Sequence, residues 1–200
     1  MKHLLITGFD PFGGEAVNPA WEAVSRLPDT IGGYRLTKLQ IPTIFETAAD
    51  TVLAAAETDA PDVILCIGQA GGRDAVTPER IAINCMDARI PDNAGNRPVN
   101  VPVAEDGPAA YFTTLPVHAM TAAIRDAGIP GALSYSAGVF VCNDLLYTLL
   151  HRYHGTAVRV GFIHIPYLPE QAREGVPSLP LGEAVRGLTA AIEVLGGIEL

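Results

Sequence analysis

The stretch Gly131–Tyr153, GALSYSAGVFVCNDLLYTLLHRY, decides how the chain is read. Its first residues have the character of a short strand, and Ser136-Ala137-Gly138 carries turn chemistry. The apolar-periodic segment that follows reads as a helix with Cys142 near its start. The unpaired N–H groups of a helix's first turn and the positive end of its dipole favour thiolate over thiol, which makes Cys142 a candidate nucleophile. The competing reading is a small core residue. Val139, Phe140, Val141 and Leu145 flank it, and free cysteine is among the most buried side chains.

After this helix, Ala157–Ile165 (AVRVGFIHI) alternates as a strand and carries His164 near its carboxyl end, and Leu181–Leu195 reads as an amphipathic helix. Before it, His3–Thr7, Tyr34–Ile41 and the continuous apolar run Val63–Ile67 read as strands, and Ile81–Cys85 as a further one. Helices are predicted from Asn18-Pro19 to about Leu27, over Ile44–Glu57, and over Val117–Ala127 closed by Gly128. Alternating strands and helices predict an α/β fold: a single-domain three-layer sandwich, residues 1–200, with a mostly parallel twisted sheet and helices on both faces. In such sheets ligands bind beyond the carboxyl ends of the strands. The Gly8–Glu15 loop, the glycine-rich loop Gly68–Arg73, Cys142 and His164 all fall near that edge.

Convergence at one edge strengthens the nucleophile reading. A thiol at a helix start with a histidine at the same edge is the minimum for thiolate catalysis, the histidine serving as base and then as acid. A carboxylate is then wanted to hold the imidazole's tautomer, and Glu79, Asp87, Asp92 and Asp144 are all open for that role. Cys66, inside the run Val63–Ile67, reads as structural. Phe9 and Phe12 lie in a loop with Pro11 and two glycines, where they either line an apolar pocket or pack back onto the domain. That loop is no nucleotide cradle, because Gly14 and Glu15 stand where a phosphate-binding loop has its lysine and hydroxyl.

Composition excludes several classes. A formal net charge of -9 without a Lys/Arg cluster disfavours nucleic acid and anionic membranes. The apolar run before Gly8 is too short for a signal-peptide core and no run approaches a membrane span, so a soluble, cytoplasmic protein is expected. Three cysteines without C-x-x-C spacing argue against a disulfide framework and a zinc site. His151 and His154 are spaced like a metal pair but lack a third ligand, and the negative end of a helix accounts for them.

Four blocks resemble the pyroglutamyl peptidase I (pyrrolidone-carboxylate peptidase) family of cysteine peptidases: GFDPFGGEAVNPAWEAV from Gly8, IGQAGGRDAVTPERIAINCMDARIPDNAGN from Ile67, SYSAGVFVCNDLLY from Ser134 and GFIHIPYLPEQ from Gly161. The resemblance implies a cysteine exopeptidase that removes N-terminal pyroglutamate from peptides without metal or organic cofactor. It implies Cys142 as nucleophile, His164 as general base and acid, Glu79 as the orienting carboxylate, and Arg89 with the Cys142 amide as oxyanion donors. Phe9, Phe12, Ile90, Phe140 and Val141 would line the lactam pocket, and Gln69 would offer its backbone to the ring amide. A homo-oligomer, dimer or tetramer, is implied as well. The chain departs from the family at Asp144, where a histidine commonly follows the Cys-Asn pair. Its carboxylate suits the helix dipole but opposes a neighbouring thiolate, an effect limited because residues at i and i+2 face different sides of a helix.

Two other readings fit the residues: a non-catalytic small-ligand-binding α/β module, and a cysteine hydrolase of another amide. A single fast-alkylating thiol protected by lactams argues against the first, and substrate comparison separates the second.

Overall fold

A computed structural model describes residues 1–197. Its strands are β1 (Lys2–Phe9), β2 (Thr30–Ile31), β3 (Tyr34–Ile41), β4 (Val63–Gln69), β5 (Thr77–Pro78), β6 (Ile81–Ile83), β7 (Ala110–Phe112) and β8 (Arg159–Ile165). Its helices are α1 (Pro19–Ser25), α2 (Thr47–Asp59), α3 (Val117–Asp126), α4 (Val141–Arg152) and α5 (Leu181–Gly197). The main sheet has the order β2-β3-β1-β4-β8-β5. Its inner strands β3, β1, β4 and β8 run parallel, and the short edge strands β2 and β5 are antiparallel to their neighbours.

Strand alternation sorts the side chains into two cores. Leu4, Ile6, Val63, Leu65, Ile67, Ile163 and Ile165 pack under α1, α3 and α5 on one face. Leu5, Phe9, Ile64, Cys66, Val160 and Phe162 pack under α2 and α4 on the other. Because β4 is covered on both faces, it reads as an unbroken apolar run rather than an alternating one. The fold matches the α/β expectation. No helix among the described residues is long and apolar enough to cross a membrane.

Two local expectations change. Gly131–Tyr135 is not a regular strand but a segment lying against β5: Ala132 and Ser134 donate backbone N–H bonds to the carbonyls of Val76 and Pro78, and Arg80 donates to that of Ser134. Pro130 and Gly131 open this segment and disfavour a longer ladder. The strand expected over Ile81–Cys85 stops at Ile83 and pairs only with β7, in a separate two-stranded sheet. Asn18 caps α1 as anticipated, its side-chain oxygen accepting from Ala20 N–H at 3.0 Å, with Pro19 in the first turn.

Candidate active site

His164 is the next-to-last residue of β8, pointing to the same face as Phe162, and is nearly fully buried. Its register partner on β4 is Gly68. Paired residues of parallel strands face the same side, so the missing side chain of Gly68 leaves a space beside the imidazole. Cys142, in the first turn of α4, fills it. A Cβ added at Gly68 would lie 3.1 Å from the Cys142 sulfur and 2.7 Å from the Phe162 ring. Thiol and imidazole therefore share one neighbour on one face of the sheet.

The sequence leaves four carboxylates open as partners of His164, and the geometry distinguishes them. Glu79, fully buried, accepts from His164 Nδ1 through Oε1 at 2.7 Å. Asp92 instead knits its own loop, accepting from the N–H groups of Phe45, Ala94 and Asn96. Asp144 turns away toward α2 and accepts from Glu46 N–H at 2.8 Å. Asp87 is exposed on the wall of an adjoining cavity. With Glu79 ionised, the Nδ1 position carries the proton, which leaves Nε2 with a lone pair.

Glu79 is held by more than histidine. Arg73 Nη1 donates to the same Oε1 at 2.6 Å, and the Ser134 hydroxyl donates to Oε2 at 2.5 Å. Burial raises the Glu79 pKa, but the hydrogen bonds from His164 and Ser134 and the charges of His164 and Arg73 outweigh it, holding the group below its ordinary value. Burial likewise disfavours the imidazolium, and His164 lies below its ordinary value despite Glu79.

The thiol departs from expectation. The sequence reading has the start of a helix favouring thiolate, yet enclosure, followed by the nearby Glu79 charge, pushes Cys142 up to about 12. Desolvation of sulfur exceeds the helix-end effect, which is worth only ~0.3–1 kcal/mol in ordinary settings. The resting pair is thus neutral thiol and neutral imidazole. Cys66, fully buried in β4 and also pushed up to about 12, behaves as the structural cysteine the sequence suggests.

A cavity of about 340 Å³ opens above Cys142, lined by Phe9, Phe12, Gln69, Ile90 and Phe140, together with Asn18, Thr43, Glu15, Tyr167 and the glycines at 13 and 71. Phe140, the residue capping α4, packs at a tilt against Phe12 with ring centroids 5.3 Å apart and edge-on against Phe45 at 5.1 Å. Gln69 ends β4, and Phe9 ends β1. Val141 does not line the cavity: it is fully buried in the second core, because the first position of α4 points inward. Arg89 is exposed and lines an adjoining cavity of about 400 Å³, which shares Ile90 and Phe140 with the first.

Sequence reasoning missed Thr43, Asn18 and Tyr167 in the cavity and Ser134 on Glu79. Asn18 and Thr43 are tied to the first loop, Asn18 Nδ2 donating to the Asp10 carbonyl and Thr43 Oγ1 to its carboxylate. An aspartate directly after Phe9 was the available signal. Elsewhere, His151 takes part in an aromatic cluster, with its Nδ1 2.9 Å from the Tyr111 hydroxyl. Among the described residues no group of three or more His, Cys, Asp or Glu side chains is arranged to hold a metal.

Comparison with known proteins gives one answer. The family model described as pyroglutamyl peptidase matches residues 2–196. The chain belongs to the pyroglutamyl peptidase family. It is 58% identical to the pyrrolidone-carboxylate peptidase of Levilactobacillus brevis, over 96% of each chain. It is 50% identical to that of Bacillus thuringiensis, over 100% of this chain and 95% of the relative. The crystal structure of Bacillus amyloliquefaciens pyroglutamyl peptidase I superposes with a TM-score of 0.95 at 48% identity, covering 100% of this chain and 98% of that one. The pyrrolidone carboxyl peptidase of Thermococcus litoralis gives a TM-score of 0.92 at 37% identity, covering 97% and 93%. The family resemblance read from the four sequence blocks holds across the whole chain, and the protein is a peptidase.

Proposed function

We propose that the cavity above Cys142 is where this peptidase removes N-terminal pyroglutamate, with Cys142, His164 and Glu79 as its catalytic set. The carrying observation is the continuous arrangement from Glu79 through His164 to the Gly68 space filled by the Cys142 sulfur. The Cys142 sulfur attacks the pyroglutamyl carbonyl carbon as its proton passes to His164 Nε2, forming a tetrahedral oxyanion. The imidazolium then protonates the departing amine nitrogen, the C–N bond breaks and a thioester remains. Water, losing a proton to the same nitrogen, attacks the thioester carbon and releases pyroglutamate and the free thiol. Glu79 orients the ring and offsets its transient positive charge.

The neutral resting pair suits this order of events. A thiol pushed up to about 12 gives up its proton in concert with attack rather than beforehand. The Cys142 amide, in the first turn of α4, and Arg89 are the proposed oxyanion donors, with Arg89 reaching in from the adjoining wall.

The pocket chemistry fits a neutral lactam. Phe9, Phe12, Phe140 and Ile90 give an apolar enclosure, and the acid among its lining residues, Glu15, is exposed. A site built for a free N-terminal ammonium would leave its anchoring carboxylate unpaired against pyroglutamate, whereas an apolar enclosure with backbone donors and acceptors from Gln69 suits it. The test is release of a fluorescent amine from its pyroglutamyl amide beside prolyl and alanyl amides, with Cys142→Ala as control. Cleavage of the pyroglutamyl compound alone, abolished in the variant, is expected; cleavage of all three amides would remove the lactam pocket from the proposal.

A further inference from the structure

Arg73 stands at the meeting point of three parts of the site. It lies just past the turn that follows Gln69, with its own N–H bonded to the Ala70 carbonyl. Its Nη1 donates to Glu79 Oε1 at 2.6 Å and to Thr77 Oγ1 at 2.5 Å, and its Nη2 donates to the Ser136 carbonyl at 3.0 Å. Thr77 in turn donates to the His164 backbone carbonyl at 3.3 Å. Ser136 belongs to the turn that leads into α4 and Cys142. One guanidinium thus links the loop after β4, the carboxylate behind the histidine and the approach to the nucleophile.

We propose that Arg73 is a positioning residue for the peptidase reaction, fixing the ionised Glu79 behind His164 while tying the Gln69 loop to the turn before Cys142. The proposal rests on the catalytic reading given above.

Two physical requirements point to an arginine there. A fully buried carboxylate is costly to keep ionised, and the Arg73 charge adds to the hydrogen bonds from His164 and Ser134 that hold Glu79 below its ordinary value. His164 is neutral at rest and cannot supply that charge continuously, whereas guanidinium is always charged. The second requirement is direction. A planar fork with several fixed donors reaches Glu79 and Ser136 at once, which a lysine ammonium on its flexible stem does not reproduce.

The guanidinium also bears on the histidine's titration. The charged and titratable groups facing His164 are Glu79 beyond β5, Arg73 from the loop and Cys142 from α4, with Cys66 of β4 behind the sulfur. Of these, Glu79 favours the imidazolium and Arg73 opposes it. Arg73 therefore keeps Glu79 from over-stabilising the protonated ring, so that the base is available near neutrality.

The experiment compares wild type, Arg73→Gln and Arg73→Lys by pyroglutamyl-amide turnover across pH, by thermal melting, and by NMR titration of the His164 imidazole. Arg73→Gln is expected to lower kcat/KM by ~10–100-fold, the scale of losing one charge-assisted hydrogen bond at a reacting group. Its acid limb and its imidazole titration both move to higher pH. Arg73→Lys keeps the charge and holds the limb near the wild-type position, yet loses turnover because the Ser136 link is gone. A folded Gln variant with an unmoved limb overturns the proposal, since loss of mere structural support would leave the titration in place. If the Gln variant does not fold, the Lys variant decides, and wild-type kcat there overturns the proposal. Wild-type protein that cleaves no pyroglutamyl amide overturns the catalytic reading instead; the NMR titration still reports on Arg73 and His164 without turnover.

Discussion

Gly68 and Cys142 occupy one space: a Cβ on Gly68 would sit 3.1 Å from the Cys142 sulfur. The same Cβ would press 2.7 Å from the Phe162 ring, whose centroid lies 4.6 Å from that of His164. Gly68→Ala should therefore displace the nucleophile and its base together. Overpacking of this kind costs ~1–3 kcal/mol of stability, and misplacement of reacting groups by about 1 Å can cost ~10²-fold in rate. Steady-state kinetics with a thermal melt would check it. A folded alanine variant with wild-type kcat would show that the sulfur does not depend on this space.

The pH profile follows from His164. Burial holds its pKa below the ordinary 6.5, and the base must be neutral to take the thiol proton. The acid limb of kcat/KM is expected below pH 6.5, with no thiol titration near pH 8–9 because Cys142 is pushed up to about 12. The same group weakens the fold in acid. An unfolded histidine binds a proton from about pH 6.5 downward while the folded one resists, so this contribution to stability is present above 6.5 and lost as pH falls through the folded value. A rate that climbs through pH 8–9 as a single thiol titration would contradict the neutral resting pair.

The parts of this site differ in how far the sequence revealed them. The start of α4, the strands β3 and β4 and the position of His164 follow from local periodicity and turn residues, which act over a few neighbours. Glu79 could not be separated from Asp87, Asp92 and Asp144 by spacing, because its contact with His164 spans 85 residues and arises only when β5 pairs with β8. Ser134 reaches Glu79 across 55 residues and gives no signal in the sequence, whereas Arg73, six residues before Glu79, is near enough in sequence to read as a candidate ion-pair partner. The direction of the Cys142 shift is not legible in the sequence, because a helix start is visible there while the burial of the sulfur and the nearby Glu79 charge are not. Val141, which the resemblance implies as a pocket residue, departs for a similar reason: adjacency to Phe140 says nothing of which way the first turn of α4 faces.

The aromatic wall should govern binding more than chemistry. Phe12 packs at a tilt against Phe140 on the cavity wall, the ring centroids 5.3 Å apart. Phe12→Ala is expected to raise KM for a pyroglutamyl amide by about 10-fold or more, with a smaller change in kcat, as for loss of binding common to ground and transition states. Equal losses in kcat and kcat/KM would instead make Phe12 part of transition-state stabilisation.

Asp144, the position where the sequence resemblance implies a histidine, holds α2 rather than acting on the thiol. Its side chain is 1% exposed and accepts from the N–H of Glu46, a residue at φ 60 that begins α2 without a cap from its own side chain. Burial raises its pKa from 3.8 to about 6, with hydrogen bonds from Glu46 and Thr148 only partly offsetting it. Because the folded value lies above the unfolded one, stability is greatest below pH 3.8 with respect to this group and is lost as pH rises through about 6. The ionised, buried form costs on the order of 3 kcal/mol at neutral pH. An asparagine keeps an acceptor oxygen for Glu46 and carries no charge, so Asp144→Asn should gain thermal stability relative to wild type at pH 8 and gain little or lose at pH 4. Paired melting curves at the two pH values decide it. A difference in Tm that stays constant with pH would mean that Asp144 does not carry a buried charge in the folded protein.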